Sequence, residues 1–141
     1  MQTEILFFEI RAYKIPYSNS FNFDNAEYIE NVNSDTIQEW EPLNRNEVIL
    51  TATFNVGIKG QMKKAEYPDF YIIIVTNKMV HLLKNKKRLF TIPYYESWNI
   101  IKLELDSILE TNNYQTYDEF VRGISKYFEY EYEFSYNKLD K

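Results

Sequence analysis

Cysteine is absent from this 141-residue chain, and glycine is scarce, with three residues. The first absence excludes disulfides, thiolate zinc sites, iron–sulfur clusters and cysteine nucleophiles, and it suits a reducing compartment. The second leaves too little glycine for a phosphate-cradling loop, and no D-x-[DN]-x-[DN]-G or H-E-x-x-H pattern occurs either. The single histidine, His81, sits between Val80 and Leu82, with no serine and carboxylate marked as its partners, so no nucleophilic triad is read. No catalytic residue, metal ligand or cofactor site is assigned. No stretch approaches the roughly 20 apolar residues that span a bilayer. The first fourteen residues intersperse Glu4, Glu9 and Arg11 with their apolar side chains, which breaks the apolar core of a signal peptide. The expected location is therefore the cytoplasm, with no membrane partner.

What is present is a chain of ordinary globular composition, 45% hydrophobic and 26% charged, and long enough for one core. A single domain over residues 1–141 is expected, since neither an internal repeat nor a flexible linker divides it. Aromatic content is high at 18%, with 13 Tyr and 10 Phe. Two readings of that excess stand: interface-forming tyrosines, or a compositional bias shared with Asn, Ile and Lys.

Residues 3–13 read as an inner strand, with Ile5, Phe7 and Glu9 on one face and Leu6, Phe8 and Ile10 on the other. Residues 15–46 form a long connection with a short helix near 25–32. Residues 47–59 alternate strictly, with Val48, Leu50, Ala52, Phe54, Val56 and Ile58 on one side, and Gly57 and Gly60 lead into a turn. A buried strand over 70–75 stops at Thr76-Asn77, and a fourth over 88–92 is closed by Pro93. The period then changes. Trp98, Ile101, Leu105, Ile108 and Leu109 make one stripe of a helix over about 95–111. A second helix begins at Thr116, where Thr116 and Glu119 have the spacing of a capping box, and its apolar face is Phe120, Val121, Ile124 and Phe128. The fold class is α+β: an antiparallel sheet of about four strands with two C-terminal helices on one face.

Charge is segregated. Residues 1–50 carry a net −6, residues 51–88 a net +6 and residues 89–141 a net −5. Asp24, Glu27, Glu30, Asp35, Glu39 and Glu41 occupy a stretch, 15–44, without lysine or arginine. It reads either as a solvated loop or as a surface that attracts a basic partner. Residues 128–136 interleave Glu129, Glu131 and Glu133 with Phe128, Tyr130, Tyr132, Phe134 and Tyr136. This is either a docked tail with an acidic outer face or a tyrosine-rich contact surface. The candidate partner-binding residues are Asp24, Glu27, Tyr28, Glu30, Glu39, Trp40, Glu129, Tyr130, Glu131, Tyr132, Glu133 and Tyr136. Lys59, Lys63, Lys64, Lys84, Lys86, Lys87 and Arg88 make two basic turns, but an overall pI near 5.0 argues against nucleic acid as the partner.

From residue 47 to 136, about two-thirds of the chain, the sequence resembles the immunity protein 8 family of bacterial polymorphic-toxin and contact-dependent growth inhibition systems. The matching pieces are the strand and turn 48–60, the strand ending at Thr76, the strand and helix 88–109, and the helix from Thr116 ending in an aromatic-Glu-aromatic tail. Two positions depart from the family pattern. Thr76-Asn77 stands where a Thr-Pro step is common, and Tyr132-Glu133-Phe134 with Tyr136 is the nearest match to Trp-Glu-Phe followed by Tyr. The resemblance implies a non-catalytic antitoxin: a cytoplasmic protein that binds the C-terminal domain of a cognate toxin, a nuclease among the candidates, and blocks it by occlusion. The alternatives are a regulatory or interaction module for a different protein partner and, third, a small hydrolase using unrecognised carboxylates.

Overall fold

The computed structural model describes residues 3–13, 28–31, 36–60, 63–83, 89–110 and 114–130. Among the described residues, six strands make one sheet: β1 (Thr3–Tyr13), β2 (Tyr28–Asn31), β3 (Ile49–Ile58), β4 (Asp69–Thr76), β5 (Leu89–Ile92) and β6 (Glu129–Tyr130). The order is β2-β1-β3-β4-β5, with β6 pairing the other half of β4's outer edge at Phe70 and Tyr71. Two helices, α1 (Trp98–Glu110) and α2 (Tyr117–Ile124), follow the fifth strand. The α+β class and the two C-terminal helices match the sequence reading, and the four expected strands are β1, β3, β4 and β5.

The strict alternation of β3 has the consequence that periodicity predicts. Val48, Leu50, Ala52, Phe54, Val56 and Ile58 are all buried, and they join α1's Trp98, Ile101, Leu105 and Leu109 and α2's Phe120 and Ile124 in one core. Phe54 is at its aromatic centre, 5.2 Å from Phe7 and 5.0 Å from Phe128 between ring centroids, with Phe7 edge-on to Trp98 at 4.9 Å. Part of the aromatic content is thus core material.

Thr116 caps α2 by accepting a bond from the Glu119 backbone N–H at 3.1 Å, while the Glu119 carboxylate accepts from the Gln115 N–H at 3.0 Å, one residue before the capping-box position. Just beyond the helix, Ser125 to Phe128 turn back towards the sheet, with the Phe128 N–H donating to the Ile124 carbonyl. The apolar stripe therefore continues through Phe128 after the helix has ended.

Three sequence expectations change. In β1 the register shifts between Phe7 and Glu9, so Phe8 is the extra residue of a bulge. The bulge reverses the parity of the strand: Ile5 and Phe7 face the core before it, Ile10 and Ala12 after it, and Phe8 is left 47% exposed. Next, β5 runs parallel to β4 rather than antiparallel. The twelve residues 77–88 between them supply the crossover length that a parallel pair needs, and a 3-10 helix within it, Asn77–Leu82, places Met79 and Leu82, with Leu83 just after it, against Ile49 and Val75 on the sheet's second face. Finally, where a short helix was expected near 25–32, residues 28–31 form strand β2, held by antiparallel pairing to Arg11, Ala12 and Tyr13.

Candidate functional site

The long connection before β3 ends in a turn-rich segment, residues 36–47, fixed from several directions. Ile37 is buried in the core. The Glu39 N–H donates to the Thr36 carbonyl at 3.1 Å and the Trp40 N–H to that of Ile37 at 3.2 Å. Asn44 accepts on its side chain from the Asn46 N–H at 3.0 Å, a local bond of the kind asparagine brings to turns. The Glu47 N–H donates to the Asn44 carbonyl at 3.1 Å.

This segment is tied to the loop between β5 and α1. The Tyr95 N–H donates to the Arg45 carbonyl at 2.7 Å, and Arg45 Nη1 donates to the carbonyls of Tyr95 and Glu96, both at 2.8 Å. Arg45 Nη2 lies 3.8 Å from Glu41. The rings of Trp40 and Tyr95 meet edge to face at 5.2 Å. The topology explains the meeting: β3 begins where β4 ends, and β5 ends beside Thr76, so both loops emerge at one end of the sheet.

Among the described residues, the exposed surface there carries both acids and apolar side chains. Glu39, Glu41 and Glu96 are exposed. Leu43 has its whole side chain in solvent, at 101% relative exposure, and Tyr94 is 45% exposed. Tyr94 Oη donates to the Glu96 carboxylate at 3.0 Å. That hydrogen bond, and the carboxylate's charge behind it, raise the phenol above its ordinary pKa of 10.0, with Arg45 pulling the other way. Glu47 pairs with Lys78 at 3.0 Å. Among the described residues at this end, Arg45 is thus engaged with backbone carbonyls and Lys78 with Glu47.

The opposite end of the sheet carries Lys59, Lys63 and Lys64, all exposed, around the β3–β4 turn. A crevice of about 350 Å³ near it is lined by Thr3, Glu4, Lys59, Lys102, Asp106 and Glu110, among others. Lys102 and Asp106 neutralise each other at 3.1 Å, so the crevice presents both signs of charge and no directed cradle. Lys84, Lys86, Lys87 and Arg88 lie outside the described residues. His81 is exposed on the 3-10 helix. Among the described residues no group of three His, Cys, Asp or Glu side chains is placed to hold a metal ion, and no helix is long and apolar enough to cross a membrane.

Of the residues singled out from sequence, Glu39 and Trp40 fall in the acidic turn, Glu39 exposed and Trp40 partly buried against the core. Trp40 therefore serves the fold's internal packing. Tyr28 and Glu30 lie in β2, paired with Tyr13 and Ala12. Glu129 and Tyr130 form β6, opposite Tyr71 and Phe70. The two strands are on opposite sides of the sheet, separated by β1, β3 and β4, which at about 4.8 Å per step is roughly 19 Å or more. They do not form one patch. Asp24, Glu27, Glu131, Tyr132, Glu133 and Tyr136 lie outside the described residues. Sequence reasoning passed over Leu43, Arg45, Tyr94 and Glu96. A signal for Leu43 was there: an isolated leucine among Pro42, Asn44 and Asn46, in a context that makes turns rather than core.

Comparison with protein-family models, with curated proteins and with solved structures gave no match for this chain.

Proposed function

We propose that this chain is an immunity-type protein, a non-catalytic antitoxin that binds a cognate bacterial toxin domain and neutralises it by covering a basic, substrate-binding surface, as a nuclease would present. The observation that carries the proposal is the acidic turn 36–47, locked to the loop 93–97 by Arg45 and leaving Leu43 and Tyr94 exposed among Glu39, Glu41 and Glu96. Loops that bind are commonly short irregular segments positioned by a rigid scaffold, and acids around apolar side chains complement a basic partner both in steering and in contact. The resemblance of residues 47–136 to the immunity protein 8 family supplies the kind of partner: a toxin of bacterial competition, met in the cytoplasm.

Such a function needs no turnover. The chain neutralises by occlusion, and the electrostatic term speeds encounter with a delivered toxin. The test is co-expression with the C-terminal domain of the protein encoded directly upstream of this chain's gene, scored by growth. Rescue by the chain, with no nuclease, protease or phosphatase activity of its own, supports the reading. An upstream product that is not toxic, or toxicity that the chain leaves intact, counts against it and favours a regulatory module for another protein. Turnover abolished by His81→Ala contradicts it outright.

A further inference from the structure

We propose that Leu43 is the apolar anchor of a docking surface for a basic protein surface containing an apolar recess, and that Arg45 is the positioning residue that presents it. The proposal deepens the binding reading above, and rests on it only for the identity of the toxin partner. A leucine with its entire side chain in water is held in a turn whose neighbouring backbone groups are bonded: Asn44 to Asn46 and Glu47, and Arg45 to Tyr95 and Glu96. Pro42, immediately before it, has its φ fixed by the ring. The turn is thus organised before any partner arrives, which lowers the ordering cost of binding.

The surrounding charge chooses the occupant. Glu39 and Glu41, four and two residues before the leucine, and Glu96, whose carbonyl Arg45 holds, are exposed, a charge that disfavours phosphate backbones and anionic lipid surfaces and complements a basic protein surface. Lys78 is paired with Glu47, and Arg45 is the informative cation. A cation in the middle of a surface meant for a basic partner weakens the attraction unless it serves another purpose, and its Nη1 is spent on two backbone carbonyls fifty positions along the chain. Its value lies in holding the turn against residues 94–96. Two opposite expectations follow. If Arg45 matters only as charge, removing it tightens binding to a cationic probe; if it positions Leu43, removing it weakens binding.

The test uses two synthetic peptides of equal charge as probes, one an amphipathic arginine–leucine peptide and the other an arginine–serine peptide, titrated into the isotopically labelled full chain. The arginine–leucine peptide is expected to shift amide resonances of residues 39–45 and 94–96 and to bind about tenfold more tightly than the arginine–serine peptide, with Leu43→Ala abolishing the difference. Arg45→Gln is expected to weaken the arginine–leucine peptide several-fold, although the variant is more acidic. Because Leu43 touches nothing in the fold, its variant tests binding without a folding penalty, and the spectrum of Arg45→Gln reports whether the sheet is intact. Shifts centred elsewhere, equal affinity for the two peptides, or tighter binding by Arg45→Gln would overturn the proposal. Toxin rescue that survives Leu43→Asp would overturn this docking surface and leave the antitoxin reading standing. Peptide binding at the turn without toxin rescue would do the reverse.

Discussion

Replacing Gly57 by alanine puts a methyl group where the Tyr67 ring already lies. Gly57 is on β3, opposite Glu4 of β1, and its φ is not positive, so the backbone accepts alanine and the obstacle is the ring alone. Tyr67 is 6% exposed and its hydroxyl donates to the Glu4 carboxylate at 3.2 Å. Burial first, and then the bond and charge of Glu4, hold that phenol above its ordinary pKa of 10.0. Displacing the ring gives up the burial of a large side chain, about 1.5 to 3 kcal/mol, and one hydrogen bond of about 1 kcal/mol. The expected loss is about 3 kcal/mol, a large share of the roughly 5 to 15 kcal/mol of a typical domain. Equilibrium urea unfolding of Gly57→Ala, Tyr67→Ala and the double variant measures it. Tyr67→Ala alone costs about as much, because the same ring is lost. The double variant is expected to lie close to Tyr67→Ala rather than at the sum, since the methyl group then enters vacated space. A Gly57→Ala protein within about 0.5 kcal/mol of wild type, or additive costs, would refute the steric account.

Two further outcomes follow from the core. The Tyr95 hydroxyl is buried without a hydrogen-bond partner among the described residues, and burial pushes its pKa up to about 12. Tyr95→Phe is therefore expected to be neutral or stabilising by about 1 kcal/mol at pH 7. The unfolded phenol ionises near 10 and the folded one near 12, so Tyr95's contribution is complete below pH 10 and is lost as pH rises towards 12. Urea midpoints measured from pH 9 to 12 are expected to fall less steeply for Tyr95→Phe than for wild type. Truncation before Thr116 removes Phe120, Ile124 and Phe128, all fully buried, and uncovers α1 and β3. At about 1.5 to 3 kcal/mol for each side chain, fragment 1–115 is expected not to fold, and a cooperatively melting fragment would contradict the core described.

Local features of the sequence were legible wherever one element's pattern is set by one buried face. The alternation of β3, the stripe of α1 and the Thr116 cap were all readable, because period and capping chemistry are local. What was not legible depends on contacts between distant residues. In β1 the run Ile5-Leu6-Phe7-Phe8 is apolar on both faces, so pattern cannot locate the bulge that switches its parity. Strand β5 has the composition of any short strand, and its direction is decided by the crossover that feeds it. Strand β2 exists through pairing with β1. The surface proposed for binding combines acids with apolar side chains, as the sequence candidates did, but its place was not legible. Arg45 meets Tyr95 fifty residues later, and the full exposure of Leu43 is a property of the folded chain.

If the acidic end of the sheet recognises a basic partner, as proposed, the association rate with the C-terminal domain of whatever protein is encoded directly upstream, compared at low and high salt, tests it most directly. Wild type is expected to associate faster than about 10⁵ to 10⁶ M⁻¹s⁻¹ at low salt and to slow as salt rises. Glu39→Lys/Glu41→Lys, with both sites exposed, is expected to associate at least about tenfold more slowly at low salt and to approach wild type at high salt. Equal rates for the two proteins at low salt, or no binding by wild type, would contradict the account.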